Sequence, residues 1–233
     1  MNVEKLRIQQ IPAILWGNES DRLILAVHGS HSSKIDDCIW VLAEEATKRG
    51  YRVLSFDLPQ HGERVYETEP CMVQECVKEL AEVYRYARQL AKHISLFACS
   101  MGAYFSLLTF ADQAIERAWF LSPVTDMERI IHNIMGYCNV SEEEFERQKI
   151  VQTPFETLYW DYYQYVKEHP VTRWSHPTHI LRGETDTLSE SDIVAGFANR
   201  FGCELVEQKG GEHWFHTPEQ LDYFRGWLKG RLG

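Results

Sequence analysis

The chain has 233 residues, with 24 Lys and Arg against 34 Asp and Glu and a formal net charge of −10; phosphate binding draws on the opposite imbalance, which excludes nucleic acid as the main partner. An apolar fraction of 44% and a charged fraction of 25% are those of a globular chain, and one of this length buries roughly 70% of its unfolded surface, which excludes disorder, collagen and coiled coil. The longest aliphatic run, Leu23 to Val27, falls far short of the roughly 18 residues of a membrane-spanning helix.

The opening residues, Met1 to Arg7, mix charges and lack the apolar core and small-residue cleavage site of a secretory signal. Six cysteines, Cys38, Cys71, Cys76, Cys99, Cys138 and Cys203, are scattered without a CxxC pair, which speaks against a zinc site and for reduced thiols. Together these features predict a cytoplasmic protein, and the length predicts one domain over residues 1–233.

Ile11 to Trp16 and Leu23 to Val27 are apolar runs separated by the turn-like segment Gly17 to Asp21, which predicts a hairpin entering a sheet. Asp36 to Arg49 then places Ile39, Trp40, Leu42, Ala43 and Ala46 on one helical stripe, with Gly50 as the stop. Tyr51 to Phe56 reads as a strand ended by Pro59 and Gly62, and Val73 to Lys92 as an amphipathic helix. Ile94 to Ala98 is a short buried strand, followed by Ser100-Met101-Gly102-Ala103, a helix over Tyr104 to Asp112 and a strand over Ala118 to Leu121. The rhythm resumes with the strand Thr178 to Leu181, the helix Glu190 to Phe201, the strand Cys203 to Val206 and the helix Pro218 to Leu228. Repeated strand-helix units predict an α/β protein with a mostly parallel, doubly wound sheet, helices on both faces and ligands at the carboxyl ends of the strands.

Residues 124–174 break the rhythm. They contain no convincing strand, but they carry helix-like segments and a dense aromatic run, Phe155, Tyr159, Trp160, Tyr162, Tyr163 and Tyr165. That is too long for a connection, so an inserted helical cap is predicted. Residue by residue its aromatics are helix core; as a group over the sheet edge they would wall an apolar acyl or aryl site.

Ala98-Cys99-Ser100-Met101-Gly102 lies between a strand and a helix, where a sharp turn can lift one side chain off the end of the sheet. Small residues two before and two after Ser100 let strand and helix approach, and Met101 offers a helix N-terminal N–H to a developing oxyanion. Cys99 is the weaker nucleophile candidate, because a turn centred on it needs a small residue at Met101. A serine needs a base, and the base an acid to orient it. The tail supplies Arg182-Gly183-Glu184-Thr185-Asp186 after one strand and Gly210-Gly211-Glu212-His213 after the next.

The order Ser100, Asp186, His213, together with His28-Gly29-Ser30 after an early strand and Asp57-Leu58-Pro59-Gln60-His61-Gly62 after the next, resembles the α/β-hydrolase superfamily over nearly the whole chain, in particular its small capped serine esterase, lipase and acylaminopeptidase-like branches. Ala98 in place of the usual Gly, and the lack of a triple-Gly oxyanion motif, depart from the pattern. The resemblance implies a catalytic triad of Ser100, His213 and Asp186 and an oxyanion hole from the backbone N–H groups of Ser30 and Met101. It also implies that the loop bearing Asp57 and His61 braces the floor of the site.

Other residues have plainer readings. The His28 side chain reads as a turn histidine satisfied by backbone carbonyls, and His216 as a surface or capping residue. Asp126, following Ser122-Pro123, is the alternative position for the triad acid. Glu142 to Glu144 read as a solvated helix start after the cap Ser141. His132, His169, His176 and His179 lack metal-ligand spacing with carboxylates, so neither a metal nor a cofactor is expected.

The function expected is hydrolysis of a small carboxylic ester with an apolar acyl or aryl group. The alternatives are a peptidase or amidase using the same residues and a non-catalytic binding protein of the same fold. The sequence leaves the oligomeric state, monomer or homodimer, open.

Overall fold

A computed structural model describes all residues from Met1 to Gly233. Ten strands and eight α-helices follow in the order β1 (Val3–Ile8), β2 (Ile11–Trp16), β3 (Arg22–Val27), α1 (Asp37–Thr47), β4 (Arg52–Phe56), α2 (Val73–Leu90), β5 (His93–Cys99), α3 (Ser100–Phe110) and β6 (Ala118–Leu121). Then come α4 (Met127–Cys138), α5 (Glu142–Gln148), β7 (Ile150–Gln152), β8 (Thr157–Tyr159), α6 (Trp160–Glu168), β9 (Thr178–Gly183), α7 (Ser191–Phe201), β10 (Glu204–Gln208) and α8 (Pro218–Lys229). Eight strands form one sheet in the order β1-β2-β4-β3-β5-β6-β9-β10. It is parallel from β4 through β10, and β2 is antiparallel to both its neighbours.

Apolar runs in β3, β5 and β6 are buried on both faces, because helices cover the sheet on each side. One face packs against α1 and α8, with Phe97 of β5 against Phe224 at 5.7 Å between ring centroids. The other face packs against α2, α3 and α7. In the α1 stripe, Ile39, Leu42, Ala43 and Ala46 are buried as expected, whereas Trp40 stays half exposed and meets Trp16 edge-on. Asp36 caps α1 by accepting from the Cys38 N–H, and Thr217 with Gln220 closes a capping box at α8, where Pro218 occupies the first turn.

Two expectations are corrected. The predicted hairpin of Ile11–Trp16 with the next apolar run does not form: β2 pairs with β1 and β4, and β4 lies between β2 and β3. The five residues between them reach at most about 18 Å, enough to arch over one strand at about 4.8 Å spacing. The Ser20 hydroxyl fastens that arch to the Gly50 carbonyl just before β4. The hairpin is instead β1 with β2, turning at Gln9, whose φ is 53°. The second correction concerns the segment between β6 and β9, which holds α4, α5 and α6 but also the short antiparallel pair β7 and β8.

Candidate functional site

Three loops leave the carboxyl edge of the sheet and meet. After β5 the chain turns at Ser100, whose φ of 47° lies in the left-handed region, a conformation costly for a residue with a Cβ. The surroundings enforce it. A Cβ on Gly102 would lie 2.2 Å from the His28 carbonyl oxygen, and one on Gly29 would lie 2.9 Å from the Ser100 Cβ. The α3 start therefore presses against the end of β3, and only glycine fits at 102.

His213 follows β10. Its Nδ1 is 2.8 Å from Asp186 Oδ2 and its Nε2 is 2.8 Å from Ser100 Oγ. A carboxylate only accepts, so Nδ1 carries the proton and Nε2 presents a lone pair to the Ser100 hydroxyl. The Asp186 side chain is fully buried, and its other oxygen accepts from the backbone N–H groups of Leu188 and Ser189, each at 2.9 Å. These bonds offset the desolvation of the charge. The loop is pinned further by Ser189 Oγ donating to the Ser122 carbonyl and by Arg182 donating to the Asp186 carbonyl. A Cβ on Gly183 would lie 2.3 Å from the Gly211 backbone, so the loops carrying Asp186 and His213 approach backbone to backbone there, and the Thr185 N–H and hydroxyl both donate to the Gly211 carbonyl.

Ser30 follows β3, and its N–H has no hydrogen-bond acceptor within the chain. Met101 lies in the first turn of α3, where an N–H lacks an intrahelical acceptor. The His28 ring is fully buried, its Nδ1 donating to the Gly29 carbonyl at 2.7 Å and its Nε2 accepting from the Leu58 N–H at 3.1 Å. Burial holds its pKa down to about 4, so the imidazole is neutral; it bonds one backbone carbonyl and one backbone N–H rather than carbonyls alone.

Solved structures were compared with this architecture. Est1E from Butyrivibrio proteoclasticus, solved with ferulic acid bound, superposes with a TM-score of 0.77 at 18% identity, covering 97% of this chain and 96% of that one. Alpha/beta hydrolase domain-containing protein 10 from mouse gives 0.80 at 14% identity over 99% and 98%. The Pyrococcus furiosus esterase Pf2001 gives 0.67 at 19% identity over 100% and 93%. The chain has the α/β-hydrolase fold. No protein-family model and no curated protein matches the sequence.

Within this α/β-hydrolase fold the remaining candidates separate. Asp126 is exposed and does not reach His213; it caps α4 by accepting from the Arg129 N–H. His216 is exposed, stacked on Trp214 before the cap of α8. Burial pushes the Cys99 thiol well above its ordinary range, so it is not an activated nucleophile. Asp57 is buried and accepts from the Lys34 N–H and ammonium and from the Glu63 N–H. It joins the loops after β3 and β4, and Gly62, with φ 54°, leaves it room. Lys34 carried no signal in the sequence, since a lone lysine reads as surface; its burial is a product of this pairing.

The aromatic run of the insertion is mostly its own core. Trp160 and Tyr163 turn inward onto Phe145, and Tyr165 stacks on His169. Facing outward are Phe155 and Tyr137, both exposed, with ring centroids 6.1 Å apart. The next residue, Glu156, which sequence reasoning missed, accepts from His31 Nε2 at 2.9 Å and Ser30 Oγ at 3.4 Å. The insertion thus reaches the loop after β3. A cleft of about 370 Å³ between α4, the end of α6 and α7 is lined by neither Ser100 nor His213. No helix is long and apolar enough to cross a membrane.

Proposed function

We propose that the protein is a serine hydrolase of small carboxylic esters, with Ser100, His213 and Asp186 as its catalytic triad. The observation that carries this reading is the continuous chain of hydrogen bonds from Asp186 Oδ2 through the imidazole to Ser100 Oγ, 2.8 Å at each step. His213 Nε2 takes the hydroxyl proton as Ser100 Oγ attacks the ester carbonyl. The N–H groups of Ser30 and Met101 hold the oxyanion. Asp186 stays ionised and stabilises the imidazolium, which then protonates the leaving alcohol. Water, deprotonated by His213, attacks the acyl-enzyme and frees Ser100.

The insertion acts as a cap over this edge of the sheet. Trp214 and Leu188, exposed beside His213 and Asp186, and the Phe155–Tyr137 pair beside the Glu156 contact supply an apolar rim for an acyl or aryl group. The likeness to Est1E, solved with ferulic acid, makes hydroxycinnamoyl esters the first to try, alongside short-chain esters.

The test is labelling with a fluorophosphonate and mapping of the adduct, followed by ester turnover. An adduct on Ser100, absent in His213→Ala, and ester hydrolysis lost in Ser100→Ala are the expected results. No adduct, or hydrolysis that survives in Ser100→Ala, overturns the proposal. Equal efficiency on an aminoacyl anilide and the matching ester would replace the ester substrate with an amide.

A further inference from the structure

Away from the triad, the Sγ atoms of Cys71 and Cys76 lie 3.4 Å apart, both as free thiols. Their settings differ. Cys76 is buried in the first turn of α2, held by its N–H bond to the Met72 carbonyl. Cys71 is partly exposed and precedes that helix, at the end of an irregular stretch, with its N–H bonded to Gln60 Oε1 at 3.2 Å. Closing a disulfide needs the sulfurs to come about 1.4 Å nearer. The loop residue can supply that movement while the helical one stays fixed.

His61 completes the cluster. Its Nδ1 donates to the Pro59 carbonyl at 2.7 Å, and its side chain neighbours that of Cys71. The remaining nitrogen, Nε2, is therefore the one available to the sulfur. The Cys76 thiol, as hydrogen-bond donor, and His61 together hold the Cys71 thiol down to about 6, whereas burial pushes the Cys76 thiol well up. The partly exposed sulfur is thus the more acidic of the two, and the buried one is the one that holds its proton. The other thiols lack this arrangement: burial pushes Cys38 and Cys99 well up and Cys203 to about 11.

We propose that Cys71, Cys76 and His61 form a peroxide-reactive dithiol site, in which Cys71 is the attacking sulfur and Cys76 the resolving one. The Cys71 thiolate attacks one oxygen of hydrogen peroxide and the O–O bond breaks. The departing hydroxide leaves as water with the Nε2 proton of the His61 imidazolium, and Cys71 becomes a sulfenic acid. Cys76 sulfur then attacks Cys71 sulfur, and the S–O bond breaks. The second hydroxide leaves as water with the Cys76 proton. Two thiols are oxidised to one disulfide and one peroxide is reduced to two waters. The site shares no residue with the proposed triad, so Ser100→Ala reacts as the parent protein does.

The experiment treats the fully reduced protein with stoichiometric hydrogen peroxide and maps the oxidised residues by mass spectrometry. The expected product has two of its six thiols joined as a Cys71–Cys76 disulfide, and Cys76→Ser instead accumulates a sulfenic acid on Cys71 that dimedone captures. In the untreated parent protein, iodoacetamide modifies Cys71 roughly tenfold faster at neutral pH than an unfolded cysteine, and His61→Gln removes that advantage. Oxidation spread over Cys38, Cys99, Cys138 and Cys203 overturns the proposal. So does a Cys71 that alkylates no faster than an unfolded cysteine, a measurement that needs no variant to fold.

Discussion

At the carboxyl edge of the sheet, backbone meets backbone: Gly102 lies against the His28 carbonyl and Gly183 against Gly211. In the insertion between β6 and β9 the contacts are side chain on side chain, with Phe145, Trp160 and Tyr163 packed on one another and a two-strand ladder of its own. Backbone contact at van der Waals distance admits no substitution without a shift, whereas aromatic packing tolerates repacking. The first arrangement suits reacting groups that must hold hydrogen-bond distances. The second suits the role of cap proposed for the insertion, whose shape would then select among substrates.

The sharpest way to break this comparison is at the acid. Asp186→Asn should lower kcat by roughly 10³–10⁴-fold, since an amide favours the wrong imidazole tautomer. Asp126→Ala should leave kcat within about twofold and cost only about 1 kcal/mol of stability, as loss of a helix cap. Steady-state kinetics and urea titration of the pair read both, and matching losses of kcat would return Asp126 to the site.

Next in size is Gly102→Ala, for which we expect a loss of roughly 3 kcal/mol or more, or no folded protein, because the methyl group enters the His28 carbonyl. Urea unfolding checks it; a near-neutral result would mean that the edge yields as the insertion does. Phe145 is fully buried, and Phe145→Ala should cost about 3 kcal/mol, confined to the insertion. Hydrogen exchange should then quicken in α4 to α6 while β5 and β9 stay protected. Uniform loss of protection would show that the insertion and the sheet unfold as one unit.

An effect of similar size, visible only as pH falls, follows from His28. Its pKa is about 4 in the fold against an ordinary 6.5, so the unfolded chain binds the extra proton first as pH falls. The stabilisation is fully present above 6.5 and is lost between 6.5 and 4, about 3 kcal/mol in all. Urea midpoints at pH 7 and pH 4 should draw apart in the parent protein by more than in His28→Gln. Equal pH dependence in both would mean that the ring is not buried neutral.

Much of this was legible in the sequence. Periodicity located β5, β6, α2 and α8 because each is long or bounded by Gly and Pro, and the order Ser100, Asp186, His213 stood out because chemistry limits the residue types that can serve. Strand partners were not legible: β2 and β3 look like a hairpin because a run, a turn and a run fit that pattern locally, while the competitor for the place between them, β4, begins at Arg52, 35 residues after the arch begins at Gly17. The same holds for Lys34 beside Asp57, Glu156 beside Ser30, and Cys71 beside His61. Side-chain types and spacing along the chain determined the elements, the sheet class and the candidate triad. Which strands became neighbours, which aromatics faced inward and which polar groups met was decided only when the backbones closed on one another, because those contacts join residues that no local period relates.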